Sequence, residues 1–243
     1  MSLVYLKEKL ISFIYDDACC FCKHELVRAE SELDRLVCPE CYQNCVGDIL
    51  DRCYFCSGPV TFENPFGSRC RMCRNWSSQF ERAYTIGHYT GALRDLILGI
   101  KRDFDDVQAY QLGQLLASIC ERLDLPAEID CVVPVPSHWQ RRLGRRGLNV
   151  TEVIAEGFCR SSGMKLHPAL RCTRHSSKQS KLSPHARKKN ISGAFAIRRG
   201  KSVRNMQVLL LDDVMTSGAT VSCLLYTSPS PRDQRGSRMP SSA

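Results

Sequence analysis

The segment 208–220 constrains the fold of this chain more than any other part of the sequence. Its first four residues are apolar, as in a parallel-sheet strand that is covered on both faces. Two adjacent carboxylates, Asp212 and Asp213, come next. A small, hydroxyl-rich turn follows, formed by Thr216, Ser217, Gly218, Ala219 and Thr220. Such a turn before a helix can point several backbone N–H groups at one phosphate. The pattern therefore predicts a buried strand that ends at a phosphate-sugar site, and an Asp pair that merely caps a helix is the alternative.

The fifteen cysteines are the second constraint on the fold. Eight of them form four C-x-x-C pairs, with fifteen residues between the first two pairs and thirteen between the last two. These pairs are Cys19/Cys22, Cys38/Cys41, Cys53/Cys56 and Cys70/Cys73. One C-x-x-C knuckle aims two sulfurs at a metal, and a second knuckle completes a tetrahedron around Zn²⁺. The spacing predicts two successive zinc ribbons, whereas the alternative of a disulfide scaffold belongs to oxidising compartments.

The remaining cysteines have different expected roles. Cys20 and Cys45, together with His24, lie near the pairs and could replace one of their ligands, so the identity of the individual zinc ligands stays open. The other cysteines are scattered among apolar neighbours, and we expect them to be packing residues: Cys120, Cys131, Cys159, Cys172 and Cys223.

The formal net charge of +9 is concentrated in one part of the chain. Residues 138–205 contain seventeen Lys and Arg but only two acidic residues, Glu152 and Glu156. This concentration predicts a local site for a polyanion, either pyrophosphate or nucleic acid, rather than a uniformly cationic surface. A solvated basic loop is the alternative.

Composition also bears on location. With 43% apolar residues, the chain can build a hydrophobic core, but its apolar runs are far too short to cross a bilayer. Charges at Lys7, Glu8 and Lys9 interrupt any signal-peptide core. We therefore expect a cytoplasmic, globular protein without membrane insertion.

Hydrophobic periodicity predicts a domain boundary near residue 80. Residues 1–80 contain the paired cysteines and a leading amphipathic helix, predicted from Leu3, Leu6, Leu10 and Ile14. Residues 81–223 have a more conventional globular pattern. Residues 224–243 contain two closely spaced prolines and no helical stripe, and they resemble translated adapter sequence, so we expect a non-native, disordered tail and a truncated second domain. A genuine disordered tail is the alternative.

Strands and helices alternate in the second domain. Strands are predicted at 84–89, 130–136 and 208–211, and helices after Gly91, over 112–123 and over 150–158. This order is typical of an α/β fold, in which helices flank a parallel sheet and the ligand binds at the carboxyl ends of the strands.

Two basic stretches follow predicted strands or helices. The first contains Arg141, Arg142, Gly144, Arg145, Arg146 and Gly147. Guanidinium groups can each donate two hydrogen bonds to phosphate oxygens, so the stretch favours pyrophosphate binding. A nucleic-acid patch, with Trp139 as a stacking surface, is the alternative. The second stretch, 171–190, has no long apolar face and is predicted to be a loop that could close over a charged ligand.

The 208–220 segment resembles the phosphoribosyl-pyrophosphate (PRPP) loop of type I phosphoribosyltransferases, and the ordered series of motifs over about residues 19–223 is similar to the ComF family. Besides the four C-x-x-C pairs and the Asp pair, the motifs are Tyr89-Thr90-Gly91-Ala92-Leu93-Arg94, Pro134-Val135-Pro136, Arg145-Arg146-Gly147-Leu148-Asn149, Gln179-Ser180-Lys181-Leu182-Ser183, residues 187–190 and Gly193-Ala194-Phe195. The resemblance implies a zinc-ribbon region followed by a phosphoribosyltransferase-like domain. Members of this family are associated with DNA uptake and competence for transformation in bacteria.

The resemblance also implies roles for individual residues. Asp212 and Asp213 would hold the ribose hydroxyls of PRPP, and the small turn after them would wrap the 5′-phosphate. Arg142, Arg145 and Arg146 would stabilise the pyrophosphate leaving group. The implied reaction displaces pyrophosphate from Mg²⁺-bound PRPP by a nitrogen nucleophile. No residue pattern identifies the acceptor.

A second hypothesis requires no catalysis. The PRPP pocket would sense a metabolite, while the zinc ribbons and the basic segment would engage single-stranded DNA or competence proteins. Salt-dependent binding of single-stranded DNA that survives mutation of the Asp pair would favour this reading.

Overall fold

The computed structural model describes residues 18–26, 31, 33–47, 52–58, 69–71, 73–74, 80–136, 149–173 and 194–215. The predictions of a leading helix and of a non-native tail lie outside these residues, as does the packing role of Cys223. The domain boundary near residue 80 stays a prediction. Within the described part of the chain, no helix has both the length and the apolar character needed to cross a membrane.

The described elements follow one another as α1 (Pro39–Cys41), a π-helical turn (Tyr42–Val46), α2 (Gly91–Asp103), α3 (Asp106–Arg122), β1 (Cys131–Pro134), α4 (Val150–Ser162), β2 (Leu170–Cys172), β3 (Phe195–Ile197) and β4 (Val208–Leu211). The predicted helices after Gly91, over 112–123 and over 150–158 are confirmed as α2, α3 and α4. The predicted strands at 130–136 and 208–211 are confirmed as β1 and β4, but β4 is not covered on both faces as predicted, since only Leu211 is buried and its other three residues are half-buried. Sequence periodicity did not predict β2 and β3, because three residues are too few to show alternation.

Helices α2 and α3 form for local reasons. The apolar residues of α2 recur at helical spacing, and Leu93, Leu96, Ile97 and Ile100 are all buried. The helix ends at Phe104, whose φ of 57° is left-handed. Only Phe104 and Asp105 separate α2 from α3, and Asp105, the N-cap of α3, accepts a hydrogen bond from the Gln108 N–H at 2.9 Å.

The central sheet is parallel. Strand β1 pairs with β4 in a register that places Cys131 beside Val208 and Pro134 beside Leu211. On its other edge, β1 also makes a parallel bridge from Val132 to Leu166. All four residues of β1 are buried, as expected for a strand with neighbours on both sides. Strands β2 and β3 form a separate antiparallel pair.

Helices α3 and α4 pack at unusually close range, because two glycines meet the backbone of the opposite helix. A Cβ atom added to Gly113 would lie 2.0 Å from the carbonyl oxygen of Ile154. One added to Gly157 would lie 2.1 Å from the carbonyl oxygen of Tyr110. The crossing therefore requires glycine at both positions.

The strand predicted over residues 84–89 is wrong, since the backbone there forms no ladder with the described strands. The carbonyl groups of Thr85 and Ile86 instead accept hydrogen bonds from the guanidinium group of Arg52, at 2.6 and 2.7 Å. Because a side chain satisfies these carbonyls, the segment does not need a neighbouring strand.

The cysteine-rich region and the α/β region share one apolar core. This core contains Cys20 and Val46 from the cysteine-rich region, Ile100 from α2 and Phe158 from α4. A polar contact joins the same regions, because the side-chain amide of Gln108 on α3 donates to the carbonyl oxygen of Cys20 at 3.1 Å. The position of the thiol groups relative to α2 and α3 is therefore set by packing.

Candidate functional site

The eight paired cysteines form two four-thiol groups. Cys19, Cys22, Cys38 and Cys41 make the first group, and Cys53, Cys56, Cys70 and Cys73 make the second. In each group, the four sulfur atoms lie within 4.8 Å of one another. The second group is buried, whereas Cys22 of the first is exposed.

The sulfur spacing fits a tetrahedral zinc site. In the second group, the Sγ atoms of Cys53 and Cys73 lie 3.7 Å apart, and those of Cys56 and Cys70 lie 3.4 Å apart. Four sulfurs at a Zn–S distance of about 2.3 Å are separated by about 3.8 Å. Both groups are therefore compatible with zinc.

The first knuckle of each group has the same backbone geometry. The Lys23 N–H donates to the Cys19 carbonyl at 2.9 Å, and the Ser57 N–H donates to the Cys53 carbonyl at 2.8 Å. Lys23 and Ser57 also share a left-handed φ, of 63° and 54°. The two ribbons thus repeat one local structure, although only the cysteine spacing shows this repeat in the sequence.

Each repeat prepares its first cysteine for metal binding. Burial raises the pKa of Cys19, but hydrogen bonds from the backbone N–H groups of Cys22, Cys38 and Phe21 together lower it by more. The resulting pKa is about 7, below the ordinary value of 9.0. In the second repeat, the pKa of Cys53 is likewise raised by burial and lowered by backbone N–H groups to about 7. Thiolates are the form that binds zinc, so these N–H groups favour the ligand form.

The alternative ligands do not join either group. Cys20, His24 and Cys45 all belong to the described residues, yet they lie outside both sets of converging sulfurs. Cys20 and Cys45 are buried in the shared core instead. Of the expected packing cysteines, Cys120 and Cys131 are buried, whereas Cys159 and Cys172 are half-buried.

Several contacts join the second thiol group to the rest of the protein. The Arg52 side chain, which bonds the carbonyls of residues 85 and 86, also donates to the carbonyl oxygen of Val46. The Ser57 hydroxyl donates to the Ala83 carbonyl at 2.7 Å, and the Ala83 N–H donates to the Phe55 carbonyl at 2.9 Å. Sequence reasoning did not single out Arg52, because its partners are distant in the chain or are backbone atoms.

The acid pair lies at the carboxyl end of β4, as predicted. The Asp213 N–H donates to a carboxylate oxygen of Asp212 at 2.9 Å, which orients that carboxyl group. Lys101, in the last turn of α2, places its Nζ 2.7 Å from a carboxylate oxygen of Asp213. Both members of this ion pair are partly buried.

The environment of Asp212 opposes its ionisation. Burial raises the pKa of Asp212 most, and the negative charge of Asp213 raises it further. The hydrogen bond from the Asp213 N–H and the positive charge of Lys101 act in the opposite direction, and the resulting pKa is about 7. Carboxyl groups whose pKa is shifted to near 7 are common in functional sites.

The end of β1 lies directly beside the acid pair. The Val135 N–H donates to the carbonyl oxygen of Leu211 at 2.9 Å, so the segments that follow β1 and β4 leave the sheet side by side. Asn149, which caps α4 and is buried, donates its side-chain amide to the Val135 carbonyl at 3.4 Å. The segment between β1 and α4 therefore starts and ends at this edge of the sheet.

A cavity of about 160 Å³ opens beside the acid pair. Its border includes Asp212 and Asp213, the apolar side chains of Leu93 and Ile97 from α2, and Ser57 and Gly58 next to the second thiol group. The cysteine-rich region thus forms one wall of the space in front of the carboxylates.

The other predicted site residues lie outside the described part of the chain. These are the turn residues Thr216, Ser217, Gly218, Ala219 and Thr220, and the arginines Arg142, Arg145 and Arg146. Their roles stay predictions. The structure adds Lys101 to the acid pair. Its position beside the apolar stripe of α2 is the only sequence signal that it faces the interior.

Several relatives align with about two thirds of this chain. The chain is 31% identical to the DNA utilization protein YhgH of Escherichia coli strain K12 over 181 residues, which cover 70% of this chain and 74% of that protein. It is 28% identical over 160 residues to the protein of the same name in Salmonella typhimurium, with 63% and 68% covered. It is 26% identical over 178 residues to Competence protein F of Haemophilus influenzae, with 70% and 75% covered.

Two further comparisons found nothing. No family model matches the chain, and no solved structure matches it.

Proposed function

The chain belongs to the ComF family, and from this premise we propose that it binds a phosphorylated ribose, with PRPP as the ligand, and acts in the uptake or use of DNA. The names of its relatives, DNA utilization protein and Competence protein F, support the cellular part of the proposal. The geometry of the α/β region supports the ligand.

One observation carries the ligand assignment. The pairing of Pro134 with Leu211 in β1 and β4 brings the acid pair to the edge of the sheet at which β1 ends, and the arginine-rich stretch follows β1 in the sequence. In open parallel sheets, ligands bind in the crevice at the carboxyl ends of the strands. Hydroxyl-binding carboxylates and phosphate-binding guanidinium groups suit opposite ends of one ligand, a ribose that bears a phosphate and a pyrophosphate.

In the proposed complex, Asp212 and Asp213 accept hydrogen bonds from the ribose hydroxyls, and the turn of residues 216–220 wraps the 5′-phosphate. Arg142, Arg145 and Arg146 balance the charge of the pyrophosphate, with which Mg²⁺ enters the site. If the domain is a phosphoribosyltransferase-like enzyme, these arginines stabilise the departing pyrophosphate while a nitrogen nucleophile attacks the anomeric carbon.

Calorimetric titration with PRPP and Mg²⁺ tests this proposal. We expect the double change Asp212→Asn with Asp213→Asn to abolish measurable binding, because it removes both charged acceptors. Asp95→Asn is the control, since Asp95 is an exposed aspartate on α2 that pairs only with Arg94 among its described contacts. Equal affinity of the double variant and the unaltered protein would contradict the assignment.

A second candidate function is the binding of single-stranded DNA by the cysteine-rich region. Tyr54, next to Cys53, is 57% exposed, and the guanidinium group of Arg82 lies 4.2 Å from the centre of its ring. An exposed aromatic ring beside arginine is the usual stacking platform for unpaired bases. Here we expect Tyr54→Ala to weaken the binding of a single-stranded oligonucleotide, and the Asp212/Asp213 double variant to retain it.

A further inference from the structure

The ion pair between Lys101 and Asp213 joins two regions that the sequence keeps far apart. The Nζ atom of Lys101 lies 2.7 Å from a carboxylate oxygen of Asp213, which is a close, charge-assisted contact. The side chains are 27% and 21% exposed, so water screens their attraction less than that of a surface pair. For comparison, the neighbouring pair of Arg102 and Asp103 is mostly exposed.

The position of Lys101 is fixed by the packing of its helix. Ile97 and Ile100, which precede it in the last two turns of α2, are buried in the shared core. Lys101 therefore extends from an anchored turn of α2 towards the end of β4. It is not a mobile surface lysine that meets Asp213 by chance.

Lys101 offsets the electrostatic repulsion between the two carboxylates of the acid pair. Two adjacent carboxylates in a partly buried site repel each other, and the charge of Asp213 favours the protonated form of Asp212. A ribose hydroxyl donates its hydrogen bond best to an ionised carboxylate. The positive charge of Lys101 lowers the pKa of Asp212 and so favours its ionised form, against burial and the charge of Asp213, which hold that pKa at about 7.

We propose that Lys101 is a positioning residue for the ribose site, which holds the Asp213 carboxylate in place and favours the ionised form of Asp212 for ligand binding. This inference rests on the proposed function for its ligand. The ionic contact between Lys101 and Asp213 is independent of that function, because it is present in the protein without ligand.

Other charged groups could act on the same carboxylates. Among the described residues, the charges that act most strongly on Asp212 are Asp213 on its own segment and Lys101 on α2. Elsewhere around the cavities that border Asp212, the titratable residues are Cys56, Glu81, Arg82, Tyr84, His88, Tyr89 and Cys120. Asp212 receives no other charge contribution of note from these groups, so removal of Lys101 should change the ionisation of the pair directly.

The test compares Lys101→Gln with Lys101→Arg and with Arg102→Gln. The first variant removes the charge, the second keeps it, and the third removes a neighbouring charge that lies outside the site. In the ligand-free protein, carboxyl-carbon NMR follows the ionisation of Asp212. We expect Lys101→Gln to raise the pKa of Asp212 by about one unit. The other two variants should leave it within a few tenths.

The same variants are then titrated with PRPP and Mg²⁺ at several pH values. Lys101→Gln should lose about fivefold in affinity at pH 7 and recover most of it at pH 9, because a rise of the Asp212 pKa from about 7 by one unit lowers the ionised fraction at pH 7 from about a half to about a tenth. A purely structural role would lower affinity equally at every pH. Such a parallel loss, or an unchanged NMR titration, overturns the proposal.

The two arms separate this inference from the proposed function. If the unaltered protein binds no PRPP, the proposed ligand is wrong. The NMR arm then still decides whether Lys101 controls the charge of the pair. Circular dichroism of each variant shows whether it is folded, and Lys101→Arg provides the folded, charge-retaining comparison if Lys101→Gln is not.

Discussion

Val135 and Leu211 are joined by a backbone hydrogen bond of 2.9 Å at the point where β1 and β4 leave the sheet. This bond continues the ladder one residue beyond the paired strands, which end at Pro134 and Leu211. The acid pair, which follows Leu211, therefore lies beside Val135 at the end of β1.

The first prediction concerns the stability cost of Asp212. Its pKa in the folded protein is about 7, well above the ordinary value of 3.8. The folded state therefore binds the proton more tightly than the unfolded state. The free energy of unfolding falls as the pH rises from about 4 to about 7, and the penalty is complete above that range.

Asp212→Asn removes this ionisable group. The variant should be more stable than the unaltered protein at pH 8, by roughly 1–3 kcal/mol, with a smaller difference at pH 5. Urea denaturation at both pH values measures the effect. An equal difference at pH 5 and pH 8 would show that the carboxyl group is not titrating in this range.

The second prediction concerns the glycines between α3 and α4. Gly157→Ala should destabilise the protein by about 2–4 kcal/mol, because the new methyl group would meet the Tyr110 backbone, which cannot rotate away. Gly99→Ala is the matched control within α2, where an added Cβ meets nothing within 4 Å. This control should be neutral or stabilising by up to about 1 kcal/mol.

Thermal or urea unfolding of the two alanine variants decides the point. If Gly157→Ala matches Gly99→Ala, the helices do not cross as closely as described.

The third prediction concerns metal content. Protein purified without chelator should contain two zinc ions per chain, since each four-thiol group has the sulfur spacing of a tetrahedral site. Cys56→Ser should reduce the content to one ion, and Cys45→Ala should leave it at two, because Cys45 lies outside both groups. Elemental analysis by mass spectrometry measures the ratio. Loss of an ion from Cys45→Ala would instead make Cys45 a ligand.

The fourth prediction concerns Arg52. Its guanidinium group donates to the backbone carbonyls of Val46, Thr85 and Ile86, which come from two separate segments. Arg52→Met should destabilise the fold by about 2–4 kcal/mol, because it leaves these carbonyls without a donor. Arg102→Met, on the exposed part of α2, should leave the midpoint of urea unfolding unchanged. A similar midpoint for both variants would mean that water replaces the Arg52 contacts.

The sequence predicted those features whose cause is local. The C-x-x-C spacing is enough to predict two metal groups, since each knuckle is a short turn whose sulfurs converge without help from the rest of the chain. The apolar run 208–211 predicts a buried strand for a similar reason, and the stripe of Leu93, Leu96, Ile97 and Ile100 predicts α2. The order of strands and helices then predicts a parallel sheet with the acid pair at a strand end.

The failures share one physical cause, which is contact between residues far apart in the chain. The segment 84–89 has the composition of a strand, but Arg52 satisfies its carbonyls and no strand forms. The choice between Cys41 and Cys45 as a ligand depends on which sulfur the π-helical turn directs into the core.

Sequence alone thus determined the local units of this protein: two pairs of C-x-x-C knuckles, three amphipathic helices, and an apolar strand that ends in two acids. Only the tertiary structure decided what faces those acids. Lys101 reaches Asp213 because the buried face of α2 anchors its last turn beside β4. A periodic pattern shows which face of a helix is buried, but the partner of each side chain depends on how the helices and strands pack together in three dimensions.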